Sequence, residues 1–361
     1  MGHHDPAAGT ASAALTERFD RALDALQSGR GERLLVFRPV PCGLGGQLSG
    51  RILTLAMALA HDRKAVFLSP ADPPYGQTFD ALDGGVDDLA GMDASVLAQA
   101  PAIEIGADQP ERIVAYDPRI SPPFDAARQR ALLTRISARL GMPVEGRLLL
   151  EGLVFNWLKV LPRVSEWNEA QRARLGVDGD TLGVHFRRGD KAVETAFVPA
   201  SAINARIAQI HAVWPFNKLF LASDSPDAPH EIVCPPGVSL IFDTEEKRFN
   251  NANHKMLMEQ PELVEQETLV AFKNIHLLSV CGGVVGQDNA HFATIAAASI
   301  LARGAPPERI ALISGRIAEE SNPMLARYFR VKAMARNLAR RLLPHMTASA
   351  RMERARKRAG G

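Results

Sequence analysis

The sequence predicts an α/β protein with two parallel β-sheets, one in each half of the chain. Residues 33–68 follow the order strand, glycine-rich turn, helix, strand, which is typical of parallel sheets. From 181 to 313, short apolar runs alternate with longer segments of helical periodicity. The stretch at 165–180 separates the two series, so we expect two Rossmann-like halves that face each other across a cleft.

Composition restricts the class of protein. The 361 residues are 46% hydrophobic and 23% charged, as in globular proteins of roughly two domains at about 150 residues each. Cys42, Cys234 and Cys281 are far apart and form no CxxC pair, so neither a disulfide framework nor a zinc site is indicated. With no signal-peptide pattern and no bilayer-length apolar run, we expect a cytoplasmic protein.

Positive charge is concentrated at the end of the chain. Residues 324–361 contain eleven Lys or Arg and one acid, so the formal charge of this tail is +10. Since the whole chain has a net charge of +2, the remaining residues carry −8. Leu325 to Leu343 has helical amphipathic spacing and predicts a helix packed on the body. The basic end could touch anionic lipid of the inner membrane, whereas the lack of an RNP-like motif disfavours nucleic acid.

The predicted elements of the first half follow from periodicity and turn residues. Residues 1–14 are predicted to be disordered and 69–125 irregular. Predicted helices are Leu15–Gln27, Leu48–His61, Ala126–Leu140, Val154–Leu161 and Ser165–Leu175, the last two separated at Pro162. Predicted strands are Arg33–Pro39 and Ala65–Leu68, with short elements at Ile103–Ile105 and Ile113–Tyr116.

The sequence of the second half predicts five strands and three helices. The strands are Leu182–Phe186, Lys218–Ala222, Val238–Phe242, Gly283–Gly286 and Ile310–Ile313. The helices are Pro199–Val213, Glu262–Ser279 and a small-residue segment that ends at Ala302. We therefore divide the chain into a leading segment (1–30), an N-terminal α/β domain (31–175), a C-terminal Rossmann-like domain (176–320) and a basic end (321–361).

The loop after the strand at 182–186 is the main candidate site. His185, Arg187, Arg188, Asp190 and Lys191 lie there together, and ligands of open α/β sheets bind outside the carboxyl ends of strands. Arginine offers a fork of donors that suits phosphate oxygens. The loop predicts a site for a phosphorylated ligand; a solvated surface turn is the alternative.

Three further turns join a strand to a helix and carry polar or small residues. Gly43, Gly45 and Gln47 form the first; they could bind an anion at a helix N-terminus or make only a tight connection. The spacing is not GxGxxG, so no dinucleotide site is indicated. The other candidate ligand-binding residues of these turns are Asp224, Asn289, Ala290 and His291. For them the alternative interpretation is a helix-capping or core role.

Asp178-Gly179-Asp180 is a DxD triplet, a pattern that some glycosyltransferases use to hold a metal. It lies in a turn-like segment before a strand, so a plain turn is the preferred interpretation. No other spacing suggests metal ligands, and we expect no metal and no cofactor.

Taken together, these segments resemble the GDP-fucose-dependent α1,6-fucosyltransferases, which have eukaryotic and rhizobial members. Gly183 to Lys191 is similar to the family's GVHxRRxDK block, and Glu194 to Phe197 to the block that follows. Cys42 to Leu48 is similar to CGxGxQL. Further blocks fall in the expected order, at Leu221–Asp224, Asn274–Ser279 and Gln287–Phe292.

The resemblance implies a GT-B-like fold with the nucleotide-sugar donor held mainly by the second half, and metal-independent transfer with inversion. By match to the family blocks, His185 and Asn274 would contact the guanine, and Arg187 would bind the β-phosphate. Glu194, with Lys191 nearby, would be the acceptor base. The implied acceptor is a GlcNAc-containing oligosaccharide, lipochitooligosaccharide or surface-polysaccharide precursor.

Departures from the family pattern keep alternatives open. The family often has Asp at the position of Asn274, and the chain has one residue fewer before Glu194. Residues 69–125 show no match and could help choose the acceptor. A GT-B-like transferase with another nucleotide sugar, a non-catalytic glycan-binding protein and, through the tail, a nucleic-acid-binding protein are the alternatives.

Overall fold

Two parallel sheets form the centre of the computed structural model, and they confirm the predicted α/β class. The structure describes residues 6–29, 32–39, 42–68, 96–97, 99–105, 107–118, 125–188, 197–248 and 261–315, with 331 and 334. The first sheet has the order β2-β1-β3, with β1 at Leu34–Phe37, β2 at Lys64–Phe67 and β3 at Ile113–Tyr116. β1 is buried at all four positions because it lies between two parallel neighbours.

The second sheet has the order β6-β5-β4-β7-β8, and every pairing in it is parallel. Its strands are β4 Thr181–His185, β5 Lys218–Ala222, β6 Ser239–Ile241, β7 Gly283–Gln287 and β8 Ile310–Ile313. The chain moves outward from β4 through β5 to β6, then returns to the other side of β4 with β7. The carboxyl ends of β4 and β7 therefore flank a topological switch point.

The helices agree closely with the periodicity in most places. They are α1 Pro6–Ser28, α2 Leu44–Ala60, α3 Ala126–Leu140, α4 Arg147–Trp157, α5 Pro162–Leu175, α6 Ala200–Val213, α7 Ala228–Glu231, α8 Pro261–Val280 and α9 His291–Ala302. No helix in the described ranges is long and apolar enough to cross a bilayer. Of the basic tail, only 331 and 334 are described, so its predicted packing lies outside the described residues.

Four expectations about local structure were wrong. α1 begins at Pro6 rather than Leu15, since proline is tolerated in a first helical turn and the alanines that follow favour helix. α2 begins at Leu44, so Gly45 lies inside the helix. Residues 103–105 form no strand, and only an isolated bridge joins Ala102 to Ala115. α4 starts and ends earlier than the predicted 154–161.

The two halves are joined by a close contact between α4 and α9. Gly152 of α4 lies against the backbone of α9, where a Cβ would overlap the carbonyl oxygen of Ala298. Beside it, the Ser299 hydroxyl donates to Asn156 Oδ1 at 2.6 Å. The main core accordingly contains residues of both halves, among them Leu55, Phe272 and Ile295.

We predict that Gly152→Ala destabilises the protein by about 1–3 kcal/mol or more, because the added methyl group forces α4 away from α9. Helix propensity alone would give the opposite sign, a gain of about 0.8–1.0 kcal/mol. The measurement is the free energy of unfolding in urea. Gly179→Ala is the control, since that glycine is exposed and no described atom lies within 4 Å of its Cβ position. An unchanged or raised stability for Gly152→Ala would contradict the contact.

Candidate functional site

The candidate site lies at the carboxyl ends of β4, β5 and β7, beside the switch point of the second sheet. His185 ends β4 and Gln287 ends β7, and these two strands are neighbours. The basic loop leaves β4 at this edge. Its residues 185–188 are described, whereas the predicted site residues Asp190, Lys191 and Glu194 lie outside the described residues.

The described part of the basic loop is held by the end of β5. The Asp224 carboxylate accepts the backbone N–H of Arg188 at 2.7 Å, and the Ser223 hydroxyl donates to the Phe186 carbonyl at 2.6 Å. Asp224 therefore anchors the loop rather than capping a helix, since Asp227 precedes α7. Arg187 lies between two anchored residues, so its backbone has a defined position.

Arg188 connects the loop to α7 and to the start of α6. Its guanidinium pairs with Glu231 at 3.1 Å, donates to the Val198 carbonyl at 2.9 Å and lies 3.7 Å from the centre of the Phe186 ring. These contacts occupy the guanidinium within the protein. The geometry favours a bracing role for Arg188, and its contact with a donor stays a prediction.

His185 is a neutral imidazole in an enclosed place. Desolvation by burial, with a smaller effect of the Arg187 charge, lowers the pKa of His185 from 6.5 to about 3. Its ring lies 5.4 Å from that of Phe292 on α9. Its Nδ1 is buried and has no hydrogen-bond partner among the described residues. A buried nitrogen of this kind is usually satisfied, so a ligand group is one explanation for it.

The start of α2, just after the glycine-rich turn, packs against the N-terminus of α9. The Ser49 hydroxyl and His291 Nδ1 are 2.8 Å apart, and a Cβ on Gly45 would lie 2.8 Å from the Cβ of His291. The absence of a side chain at Gly45 is thus explained by packing between the halves. Gln47 is buried and donates to the Cys42 carbonyl at 3.0 Å, which holds the turn itself.

The remaining predicted residues of these turns have different settings. Gly43 is the exposed residue that precedes α2, and Ala290 is the buried residue that precedes α9. Asn289 lies near the end of β8, where a Cβ on Gly315 would be 3.2 Å from its Nδ2. Asn289 therefore lies at the same edge of the second sheet as His185, and the contacts of Gly43 and Asn289 with a donor stay predictions.

Asn274 belongs to a buried polar cluster that sequence reasoning missed. Its Nδ2 lies 3.1 Å from both oxygens of Glu246. Lys273 Nζ is 2.8 Å from Glu246 and 2.6 Å from Asp243, and Arg174 is 2.8 Å from Asp243. Burial alone would raise the pKa of Asp243, but the hydrogen bonds and charges of Lys273 and Arg174 hold it below its usual value.

The DxD segment is a turn, as predicted. Asp178 accepts from Lys218 at 2.6 Å and from the Thr181 hydroxyl at 2.9 Å, and Asp180 donates its backbone N–H to Asp178. Within the ranges that the structure describes, no group of three His, Cys, Asp or Glu could hold a metal ion.

Comparisons with known proteins give structural similarity at low identity. No family model and no curated protein sequence matches the chain. NodZ fucosyltransferase from Bradyrhizobium is 16% identical, with 73% of this chain and 92% of that chain covered and a TM-score of 0.46. A mutant of Arabidopsis thaliana FUT1 in complex with GDP is 11% identical, with 79% of this chain and 72% of that chain covered and a TM-score of 0.47. POFUT1 in complex with GDP-fucose is 14% identical, with 78% of this chain and 98% of that chain covered and a TM-score of 0.43. Sequence identities and TM-scores this low do not assign an activity to the chain.

We predict that His185 makes the protein less stable in acid. Since the folded state holds this histidine at a pKa of about 3 and the unfolded state at about 6.5, the unfolded state binds more protons between these values. Stability should therefore fall as the pH drops below 6.5, by up to about 1.4 kcal/mol per pH unit for this group. Urea unfolding of the wild type and of His185→Gln between about pH 5 and 8 measures this effect. Equal acid-side slopes would contradict the assignment.

Proposed function

We propose that the chain is an inverting glycosyltransferase that moves fucose from GDP-fucose to a GlcNAc-containing glycan or glycolipid. One observation carries the proposal. Four of the blocks that resemble α1,6-fucosyltransferases, at 42–48, 183–188, 221–224 and 287–292, are far apart in the chain, yet they contact one another around the end of the second sheet. Asp224 accepts a hydrogen bond from the basic loop, the Phe292 ring lies beside that of His185, and His291 contacts Ser49 and Gly45 at the start of α2.

The proposed reaction is a single displacement at the anomeric carbon of fucose. The acceptor hydroxyl oxygen forms a bond to C1, the bond between C1 and the β-phosphate oxygen breaks, and GDP leaves with the electron pair. A base takes the hydroxyl proton, and Glu194 is the candidate, with Lys191 nearby. Negative charge grows on the diphosphate during this step, so a cation placed there in advance lowers the barrier.

Arg187 is the candidate for that cation. The residues on both sides of it are fixed, because Phe186 donates its backbone N–H to Ala222 at 2.9 Å and Arg188 donates to Asp224 at 2.7 Å. Because the backbone of Arg187 is already held, less of the chain has to be reorganised when charge develops on the diphosphate. This arrangement supports transfer in which arginine, rather than a metal, stabilises the leaving diphosphate.

The neutral state of His185 supports the proposal that a nucleoside binds next to this diphosphate site. With a pKa of about 3, its imidazole is neutral at physiological pH and offers one donor and one acceptor nitrogen. A neutral ring can bond to a base or ribose without adding charge. The proposal includes a glycan or lipid-linked acceptor, a cytoplasmic location and contact of the basic tail with anionic lipid, and it requires no cofactor beyond the donor.

We predict that GDP stabilises the protein by about 2.7 kcal/mol at a concentration about 100-fold above its dissociation constant. The measurement is the shift in melting temperature with GDP, UDP, ADP and CMP at equal concentrations. GDP should give the largest shift. A shift with UDP or ADP but not with GDP would favour a transferase for another nucleotide sugar, and glycan binding without any detectable transfer would favour a glycan-binding protein.

We predict that Arg187→Lys lowers kcat for fucosyl transfer by roughly 100-fold or more, because an ammonium on a flexible stem does not reproduce the two-pronged contact of guanidinium with phosphate. Single-turnover transfer from GDP-fucose to a GlcNAc-containing acceptor measures the rate. Arg206→Lys is the matched control, since Arg206 is an exposed residue of α6 that bonds to Gln209. Wild-type kcat in Arg187→Lys would place the phosphate site elsewhere.

A further inference from the structure

We propose that Glu246 is a positioning residue that sets the base specificity of the donor site by fixing the orientation of the Asn274 amide. With its nitrogen held by Glu246, Asn274 turns its Oδ1 toward the nucleotide and accepts hydrogen bonds from the N–H groups of guanine. The inference rests on the proposed function, because it concerns the base of the same donor.

The hydrogen bonds of Asn274 determine which way its amide faces. A carboxylate only accepts hydrogen bonds, and both Glu246 oxygens lie 3.1 Å from Asn274 Nδ2. The nitrogen must therefore face Glu246, and the oxygen must point away from it. No described residue donates a hydrogen bond to that oxygen. Asn274 thus has one committed donor group and one acceptor available for a ligand.

Glu246 is itself held firmly. Its side chain is 7% exposed and lies 2.8 Å from Lys273 Nζ, and Lys273 is 2% exposed. Lys273 also contacts Asp243 at 2.6 Å, which contacts Arg174 at 2.8 Å. Because the buried groups Lys273, Asp243 and Glu246 each have a partner, Glu246 has little freedom to release the amide of Asn274.

A series of hydrogen bonds connects this cluster to the basic loop. Arg248, in the same loop as Glu246, donates to the Ser223 carbonyl at 3.1 Å and to the Glu246 carbonyl at 3.0 Å. Ser223 in turn donates to the Phe186 carbonyl at 2.6 Å. The cluster is therefore tied to the edge of the sheet from which His185 and Arg187 emerge.

An acceptor at this position discriminates between purines. Guanine presents N1–H and an amino group side by side, whereas adenine presents a bare N1 beside its amino group. The contact of Nδ2 with a carboxylate also increases the negative charge on Oδ1, because hydrogen bonds in a chain polarise one another. The pair Glu246–Asn274 can then offer a strengthened acceptor to guanine without a second exposed charge.

The test is a double-mutant cycle on the full chain, with GDP and ADP affinities measured by calorimetry. Glu246→Gln frees the Asn274 amide to turn, so GDP affinity should fall by about tenfold, equivalent to about 1.4 kcal/mol, and the preference for GDP over ADP should shrink. Asn274→Asp places two carboxylates side by side and should also weaken GDP binding.

The variant that combines Glu246→Gln with Asn274→Asp restores one donor and one acceptor to the pair. The new carboxylate at position 274 accepts a hydrogen bond from the new amide at position 246, and its second oxygen remains available to the nucleotide. GDP affinity in this double variant should therefore return to near the wild-type value.

Glu245→Gln is the matched control, because it makes the same chemical change on a neighbouring side chain that is 80% exposed. It should leave both affinities unchanged. If Glu246→Gln fails to fold, as judged by circular dichroism, Asn274→Ala keeps the Glu246–Lys273 pair and should still lose the preference for GDP.

The outcomes separate this inference from the proposed function. Absence of GDP binding in the wild type would overturn the proposed function. Wild-type GDP binding with unchanged affinity and selectivity in Glu246→Gln, or a double variant no better than the single ones, would overturn the inference and leave the donor site in place.

Discussion

The relative position of the two halves follows from the close contact between α4 and α9. Gly152 allows the helix backbones to approach, and the bonds between Asn156 and Ser299 fix their register. The N-terminus of α9 then contacts the start of α2. The geometry of the candidate site is therefore a consequence of backbone packing between two helices, some distance from the polar residues that would bind a ligand.

The buried charges at the site contribute more to the orientation of side chains than to the stability of the fold. Lys273, Asp243 and Glu246 are nearly withdrawn from water, and the desolvation of such ions offsets much of their attraction. What the cluster does achieve is a defined orientation for each member, including the amide of Asn274. The basic loop follows the same rule, since Asp224 and Glu231 take two hydrogen-bonding groups of Arg188 and leave the neighbouring Arg187 on a fixed backbone.

The glycine-rich turn shows how one pattern can have two physical causes. Glycines before a helix are consistent with close approach of a ligand to the backbone, and that was one interpretation of Gly45. In the structure the neighbour that excludes a side chain is His291, from the other half of the chain. Residue type indicated that something approaches the backbone closely, but local sequence contains no information on which partner approaches.

Local sequence was sufficient to predict the alternation of strands and helices, because burial and periodicity act over a few residues: β5, β8 and α3 have the predicted bounds. It also marked His185 and Arg187 as site candidates, since charged residues that follow a buried strand lie at a sheet edge. The anchoring of the basic loop by Asp224 and the contact of Glu246 with Asn274 became evident only in the folded chain. Those pairs are 36 and 28 residues apart, and chain folding rather than local pattern brings such partners together.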